Sequence, residues 1–169
     1  MKWISLFLIF LLFSACGYRP SAKFSRVVLG EKVSTSVFIA SVDPENSVVI
    51  KDAMDLAISE VFHASLTSKD KSYSHLNLSL GNPVYLPIQY DSDGFVISYR
   101  TTIRLVVQRV IKGNSKRYTV VGTHDFSVKA NAIISDQQRF DAIKFSSIKA
   151  IKAFVAQISA EGAREKKDI

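Results

Sequence analysis

The densest run of chemically active side chains lies between Phe95 and His124. Six basic residues occur there with no acidic one: Arg100, Arg104, Arg109, Lys112, Lys116 and Arg117. Guanidinium groups present paired N–H donors that match phosphate and carboxylate, so the chemistry this run suits is anion binding. The whole chain leans the same way, with 22 Lys and Arg against 15 Asp and Glu and a net charge of +7. Catalytic chemistry finds little support. There is no glycine-rich phosphate loop and no G-x-S-x-G elbow. His63, His75 and His124 are far apart and in no metal-ligand spacing, and a single cysteine excludes a cysteine-rich metal site. Asp91 and Asp93 beside Gly94 read as turn chemistry rather than a Ca²⁺ loop. Asp52 and Asp55, one helical turn apart, read as solvent-facing. The expectation is a protein that is not an enzyme and has no metal and no catalytic residue.

The elements that must position these cations follow from periodicity. Of 169 residues, 47% are hydrophobic and 11% aromatic, enough for one domain with a real core and too much for a disordered chain. Lys32 to Val42 is rich in β-branched residues and reads as a strand. Asp43 to Ser47 reads as a turn into a helix running from Val48 to about Thr67, with Ile50, Met54, Ala57, Ile58 and Val61 on one face. Three strands follow. Even positions are apolar in Leu76 to Tyr90, odd positions in Phe95 to Ile111, and even positions again in Lys116 to Val128. Turns are expected at Asp91 to Gly94 and at Gly113-Asn114, the latter of type II′. These turns put the apolar residues of all three strands on one face. Arg100 and Arg104 then share the opposite face with Tyr85, Ser98, Thr102 and Thr123, with Asp125 as the carboxylate for Arg104. Lys112, Lys116 and Arg117 gather at the hairpin tip. Pro83 and Pro87 mark an edge or a distortion. A second helix starts at Ser135, capped with Gln138. The fold class expected is α+β: a four-stranded, mostly antiparallel sheet with two amphipathic helices on one face, in the order β-α-β-β-β-α.

The first residues read as an address. Met1-Lys2 is followed by an apolar stretch from Trp3 to Phe13, too short to span a bilayer and suited to a secretory signal. Phe13-Ser14-Ala15-Cys16-Gly17 resembles the bacterial lipoprotein signal, in which the cysteine is thioether-linked to diacylglycerol and becomes the first mature residue. The residue three before the cysteine is Phe13, where that signal usually has Leu. Two or more acyl chains hold a protein stably at a membrane. Gly17 in place of an aspartate points to the outer membrane of a Gram-negative cell. The organisation expected is a signal peptide over 1–15, a lipidated N-terminus and tether over 16–31, one domain over 32–160 and a charged, fraying tail over 161–169.

Lipobox, Cys16-Gly17-Tyr18 and the element order together resemble the LptE family of lipopolysaccharide-assembly lipoproteins. Asp43-Pro44-Glu45-Asn46-Ser47-Val48, Gln89-Tyr90-Asp91, Ile97-Ser98-Tyr99-Arg100 and Ile134-Ser135-Asp136 look like its divergent branches. The resemblance implies a non-enzymatic outer-membrane lipoprotein that plugs the LptD barrel, helps it assemble and helps lipopolysaccharide reach the outer leaflet. It implies no cofactor beyond the covalent lipid on Cys16. Arg100, Arg104, Lys112, Lys116 and Arg117 are then the lipopolysaccharide-contact residues suggested by charge and register, and Tyr85 and Val106 the anchors of an interface. No nucleic-acid partner is expected outside the cytoplasm. The alternatives are an accessory lipoprotein of a lipid-trafficking transporter, of a secretion pore, or of a peptidoglycan synthase.

Overall fold

A computed structural model describes residues 21–38 and 44–165. The elements are α1 (Ser21–Leu29), β1 (Lys32–Val37), α2 (Pro44–Glu60), β2 (Ser65–Leu66), a 3₁₀ turn (Lys69–Lys71), β3 (Ser74–Leu80), β4 (Val84–Tyr90), β5 (Val96–Ile111), β6 (Asn114–Ser127) and α3 (Asp136–Glu165). The class is α+β, as expected, but among the described residues the sheet has six strands and is mixed, and three helices accompany it. β1 pairs parallel with β2 and β3, and the remaining pairs are antiparallel.

The sheet is organised by the 16-residue strand β5, about 53 Å long at ~3.3 Å per residue. β6 runs along one of its sides. On the other side β3 pairs with residues 105–110, and β4 pairs with residues 96–102. β3 and β4 are therefore successive segments of one edge, interrupted at Gly81–Pro83 rather than continuous. The odd positions Ile103, Leu105 and Val107 of β5 are fully buried. Leu105 and Val107 cluster with Leu76 and Leu78 of β3, Tyr118 and Val120 of β6, and the helices above. α2 contributes Ile50, Met54 and Ile58, and α3 contributes Ile151, Phe154 and Ile158 at i, i+3, i+4 spacing.

Several local devices explain the boundaries. Ser135 and Gln138 form a reciprocal capping box, with Ser135 N donating to Gln138 Oε1 at 3.0 Å and Gln138 N to Ser135 Oγ at 3.3 Å. α2 ends earlier than its periodicity suggests. His63 takes φ +49°, and Ala64 N donates to Ile58 O at 3.1 Å, a left-handed helix cap. Within the stretch read as a tether, Ser21–Leu29 form a helix whose Val28 and Leu29 belong to the core. The stretch read as a fraying tail continues α3 to Glu165. β1 ends at Val37, and residues 39–43 and Cys16 lie outside the described residues.

Two glycines are dictated by helix approach. A Cβ at Gly122 would lie 1.9 Å from Ser146 O and 2.4 Å from Ala150 N, where α3 crosses β6. A Cβ at Gly162 would lie 1.8 Å from Phe24 O, where α1 crosses α3.

Candidate functional site

The three described helices pack on one side of the sheet, and among the described residues no helix covers the other side, the bare face. Register decides what it presents. The β5–β6 turn is Lys112-Gly113, both with positive φ (46° and 85°), and pairs Ile111 with Asn114. This is a type I′ geometry one residue earlier than the expected Gly113-Asn114 turn. The pairing moves by two residues, so the parity, and with it the facing of every β5 and β6 side chain, is as expected.

The β4–β5 connection is different. Asp91 Oδ1 accepts from Asp93 N at 3.0 Å and from Phe95 N at 2.8 Å, and Gly94 has φ +83°. The loop takes in Phe95, and Tyr90 pairs with Val96, Leu86 with Arg100 and Val84 with Thr102. Even β4 positions thus meet even β5 positions. The apolar set of β4 faces away from the helices, opposite to the expectation. Val84 is 60% exposed, Leu86 59% and Tyr90 57%. Tyr85 turns inward instead, edge-on to Phe126 at 6.4 Å, with Tyr99 stacked on Phe126 at 6.0 Å. Pro87 sits at a register irregularity on the strand that bounds this part of the sheet, where a missing N–H is tolerated.

The structure divides the expected cation set. Arg100 is on the bare face but forms a two-pronged pair with Asp125, at 2.8 and 2.7 Å. Asp125 belongs to Arg100, its cross-strand partner, and not to Arg104. The hydrogen bonds hold the Arg100 guanidinium above its ordinary range and the Asp125 carboxyl below its own. Lys116 projects to the helix side, where its Nζ lies 2.8 Å from Glu161 Oε1 and 5.5 Å from the Tyr118 ring centre. Arg109 reaches the same carboxylate at 3.7 Å and donates to Val28 O at 2.8 Å. Lys112 is in the turn. Arg104 and Arg117 remain on the bare face with no carboxylate within ion-pair distance among the described residues. Each lines a groove. Arg104 stands beside Asn82, Val84, Thr102 and Val121, and Arg117 beside Ser36, Asn77, Val106 and Gln108.

Sequence reasoning missed His75. It is buried on the bare side between Ser34 and Ser36, with Nδ1 2.7 Å from Ser34 Oγ and Nε2 3.1 Å from Ser36 Oγ. Ser34 Oγ in turn donates to Ser72 Oγ at 2.8 Å. Burial, followed by the nearby charge of Lys69, lowers the His75 pKa and favours the neutral ring. The alternation of Ser, His and Asn in β1 and β3 carried the signal, but only their parallel pairing joins them. His124 faces the helices, 5.0 Å from the Phe145 ring. Asp55 is not solvent-facing as expected; it pairs with Lys51 at 2.5 Å and accepts from Thr35. No group of three His, Cys, Asp or Glu side chains suited to a metal ion occurs among the described residues.

The fold is similar to those of solved bacterial lipoproteins. The rare lipoprotein B of Shewanella oneidensis superposes with a TM-score of 0.53 at 11% identity, over 80% of this chain and 98% of that one. A putative lipoprotein from Caulobacter crescentus gives 0.53 at 7% identity, over 85% and 96%. A minor lipoprotein from Acinetobacter baumannii gives 0.50 at 12%, over 78% and 94%. No family model matches the sequence, and a search of curated proteins finds no match.

Proposed function

We propose that this protein is a lipid-anchored lipoprotein of the Gram-negative outer membrane. It seats against a large outer-membrane barrel of the LptD type, helps that barrel assemble and assists lipopolysaccharide insertion into the outer leaflet. It acts as a binding and assembly component, not an enzyme, and needs no cofactor beyond the lipid on Cys16. The observation that carries this reading is the bare sheet face. Its composition is that of a buried interface: exposed Val84, Leu86, Tyr90 and Val121 among Thr, Ser, Gln and the cations Arg104 and Arg117. Apolar anchors in a polar, hydrogen-bonding surround are the usual make-up of a protein interface, and a barrel lumen is polar. In this reading Val84, Leu86 and Tyr90 take the anchor role for which the inward-facing Tyr85 is unsuited, and Val106 keeps a place on the same face.

The fold likeness to solved bacterial lipoproteins and the Ser14-Ala15-Cys16 signal support the anchor. Arg104, Arg117 and Lys112 are the cations free to meet lipid phosphate, whereas Arg100 and Lys116 are engaged internally. The test is affinity purification of the tagged, lipidated chain from detergent-solubilised envelopes, with the partner identified by mass. A stoichiometric outer-membrane barrel is the expected result. A transporter, a secretion ring, a peptidoglycan synthase or no barrel at all would overturn the reading.

A further inference from the structure

β4 and β6 flank β5 on opposite sides, and their free edges differ. Gly81 N donates to Arg104 O at 2.8 Å, so even residues of β5 direct their backbone groups to the β4 side. Their partners Val84 and Leu86 point back, which turns Pro87 outward. A proline without an N–H blunts that edge. β6 has no proline, and its pairing with β5 shows no bulge. Ile111 and Asn114 flank the hairpin turn, and Val128 N donates to Ile97 O at 3.0 Å. Both observations place the even residues of β6 in hydrogen bonds with β5. The odd residues from Ser115 to Asp125 therefore direct N–H and C=O away from the sheet, along about 35 Å of edge. Among the described residues these groups have no hydrogen-bond partner. The edge closes at Ser127, whose O accepts from Gln138 Nε2 at 3.2 Å. An open edge of this length is a template for another strand.

The side chains of those odd residues say which strand fits. Their order is Arg117, Thr119, Val121, Thr123, Asp125, with opposite charges equidistant from Val121. An antiparallel second β6 centred on Val121 sets Val121 against itself, Thr119 against Thr123 and Arg117 against Asp125. Either neighbouring register leaves Arg117 facing Thr123 or Ser127 instead. Arg117 has no carboxylate within ion-pair distance among the described residues of its own chain. In the centred register Asp125 lies between its own Arg100 and the partner's Arg117, so charge alternates across the seam. On the helix side Phe145 stands 5.0 Å from His124 and is 43% exposed, which adds apolar surface beside the same strand. α3 packs on β5 as well as β6, which keeps the helix inboard of the edge.

We infer that the β6 edge is a self-association surface whose partner is a second copy of this chain. The two copies pair β6 to β6, antiparallel, about a two-fold axis at Val121, and their sheets join into one. About ten backbone hydrogen bonds form along the seam, two for each directly opposed pair of odd residues. The inference concerns an edge rather than the bare face and does not rest on the barrel reading. Pairing commits Arg117 to a carboxylate, so pairing and contact with lipid phosphate exclude each other at that side chain.

The test is disulfide trapping of the full lipidated chain in intact envelopes under mild oxidation, read as a doubled mass on non-reducing gels. The unsubstituted chain serves as the control for Cys16. Directly opposed, hydrogen-bonded residues have Cα atoms about 5.5 Å apart, within disulfide reach. Val121→Cys is expected to give a disulfide-linked homodimer. Thr119→Cys alone and Thr123→Cys alone should not, because each position faces the other across the seam, whereas the two substitutions in one chain should. Added to Val121→Cys, Arg117→Asp sets like charges opposite each other and should lower the dimer yield at least about tenfold. Arg117 has no internal hydrogen bond or ion pair to lose among the described residues, so this variant keeps its fold. Equal trapping at the three single positions, no homodimer from Val121→Cys, a disulfide to a different protein in its place, or a yield unchanged by Arg117→Asp would overturn the inference.

Discussion

The two halves of β5 obey the same alternation and put it to opposite use. In the half from Ile103 to Ile111, the odd residues Ile103, Leu105 and Val107 are buried on the helix side, while the bare face carries Arg104, Val106 and Gln108. In the half from Val96 to Thr102 the partner strand β4 is turned over. Its larger apolar side chains, Val84, Leu86 and Tyr90, look away from the helices, and Tyr85 looks towards them. Alternation thus marks a strand but not the face it buries. That face is fixed by turn length, and one residue more or less inverts it. An isolated apolar stripe of this kind costs nothing obvious in the fold, because α3 covers β5 and β6 regardless. Its retention is what directs attention to an external partner.

Breaking the covered face should have the largest effect. Phe154→Ala removes a fully buried ring that meets Tyr118 edge-on at 5.5 Å. A loss of about 4 kcal/mol in denaturant unfolding is expected. Gly122→Ala drives a methyl group into the α3 backbone, and about 3 kcal/mol is expected to be lost as the helix shifts. The bare face should behave otherwise. Leu86→Ser combined with Val84→Thr is expected to move unfolding free energy by no more than about 0.5 kcal/mol per site, while reducing recovery of the outer-membrane partner. A large loss of stability from that pair would mean the stripe is part of the core.

A pH titration sharpens the contrast further. The folded-state pKa of His75 lies below its ordinary value, so between the two values the unfolded chain binds more protons. Stability therefore rises with pH in that window. It is complete above about pH 6.5, the ordinary histidine value, and is lost as pH falls through the lower folded value. His75→Gln should flatten this part of the stability profile. The smallest effect belongs to the Arg100–Asp125 pair, which is solvent-exposed. Its Asp125 pKa, depressed first by the hydrogen bond from Arg100, should return towards the ordinary aspartate value in Arg100→Gln, as followed by carboxyl NMR shifts.

Much of this was legible in the residues. The capping box at Ser135, the strand periods, and the facing of β5 and β6 follow from local pattern and turn chemistry. The type I′ turn at Lys112-Gly113 escaped, because a non-glycine residue takes φ +46° there. α1 escaped because a nine-residue helix is stabilised by docking on α3 rather than by its own propensity. The division of the cations escaped for a related reason. Glu161 sits in a stretch that reads as a frayed tail, yet its carboxylate gathers Lys116, Arg109 and the Tyr118 hydroxyl, the last at 3.1 Å. Such long-range partners have no local signal. The same holds for the groove that joins Ser36, Asn77, Gln108 and Arg117, which exists only once four strands are in register.

The central claim is that the bare face, and not the helical face, meets an outer-membrane barrel. The most direct measurement is site-specific photo-crosslinking in intact cells, with the crosslinker at Leu86 in one variant and at exposed Lys152 on α3 in another. A crosslink from Leu86 to a large outer-membrane barrel, absent from Lys152, is the result expected. A crosslink confined to Lys152, or none to a barrel from Leu86, would contradict the account.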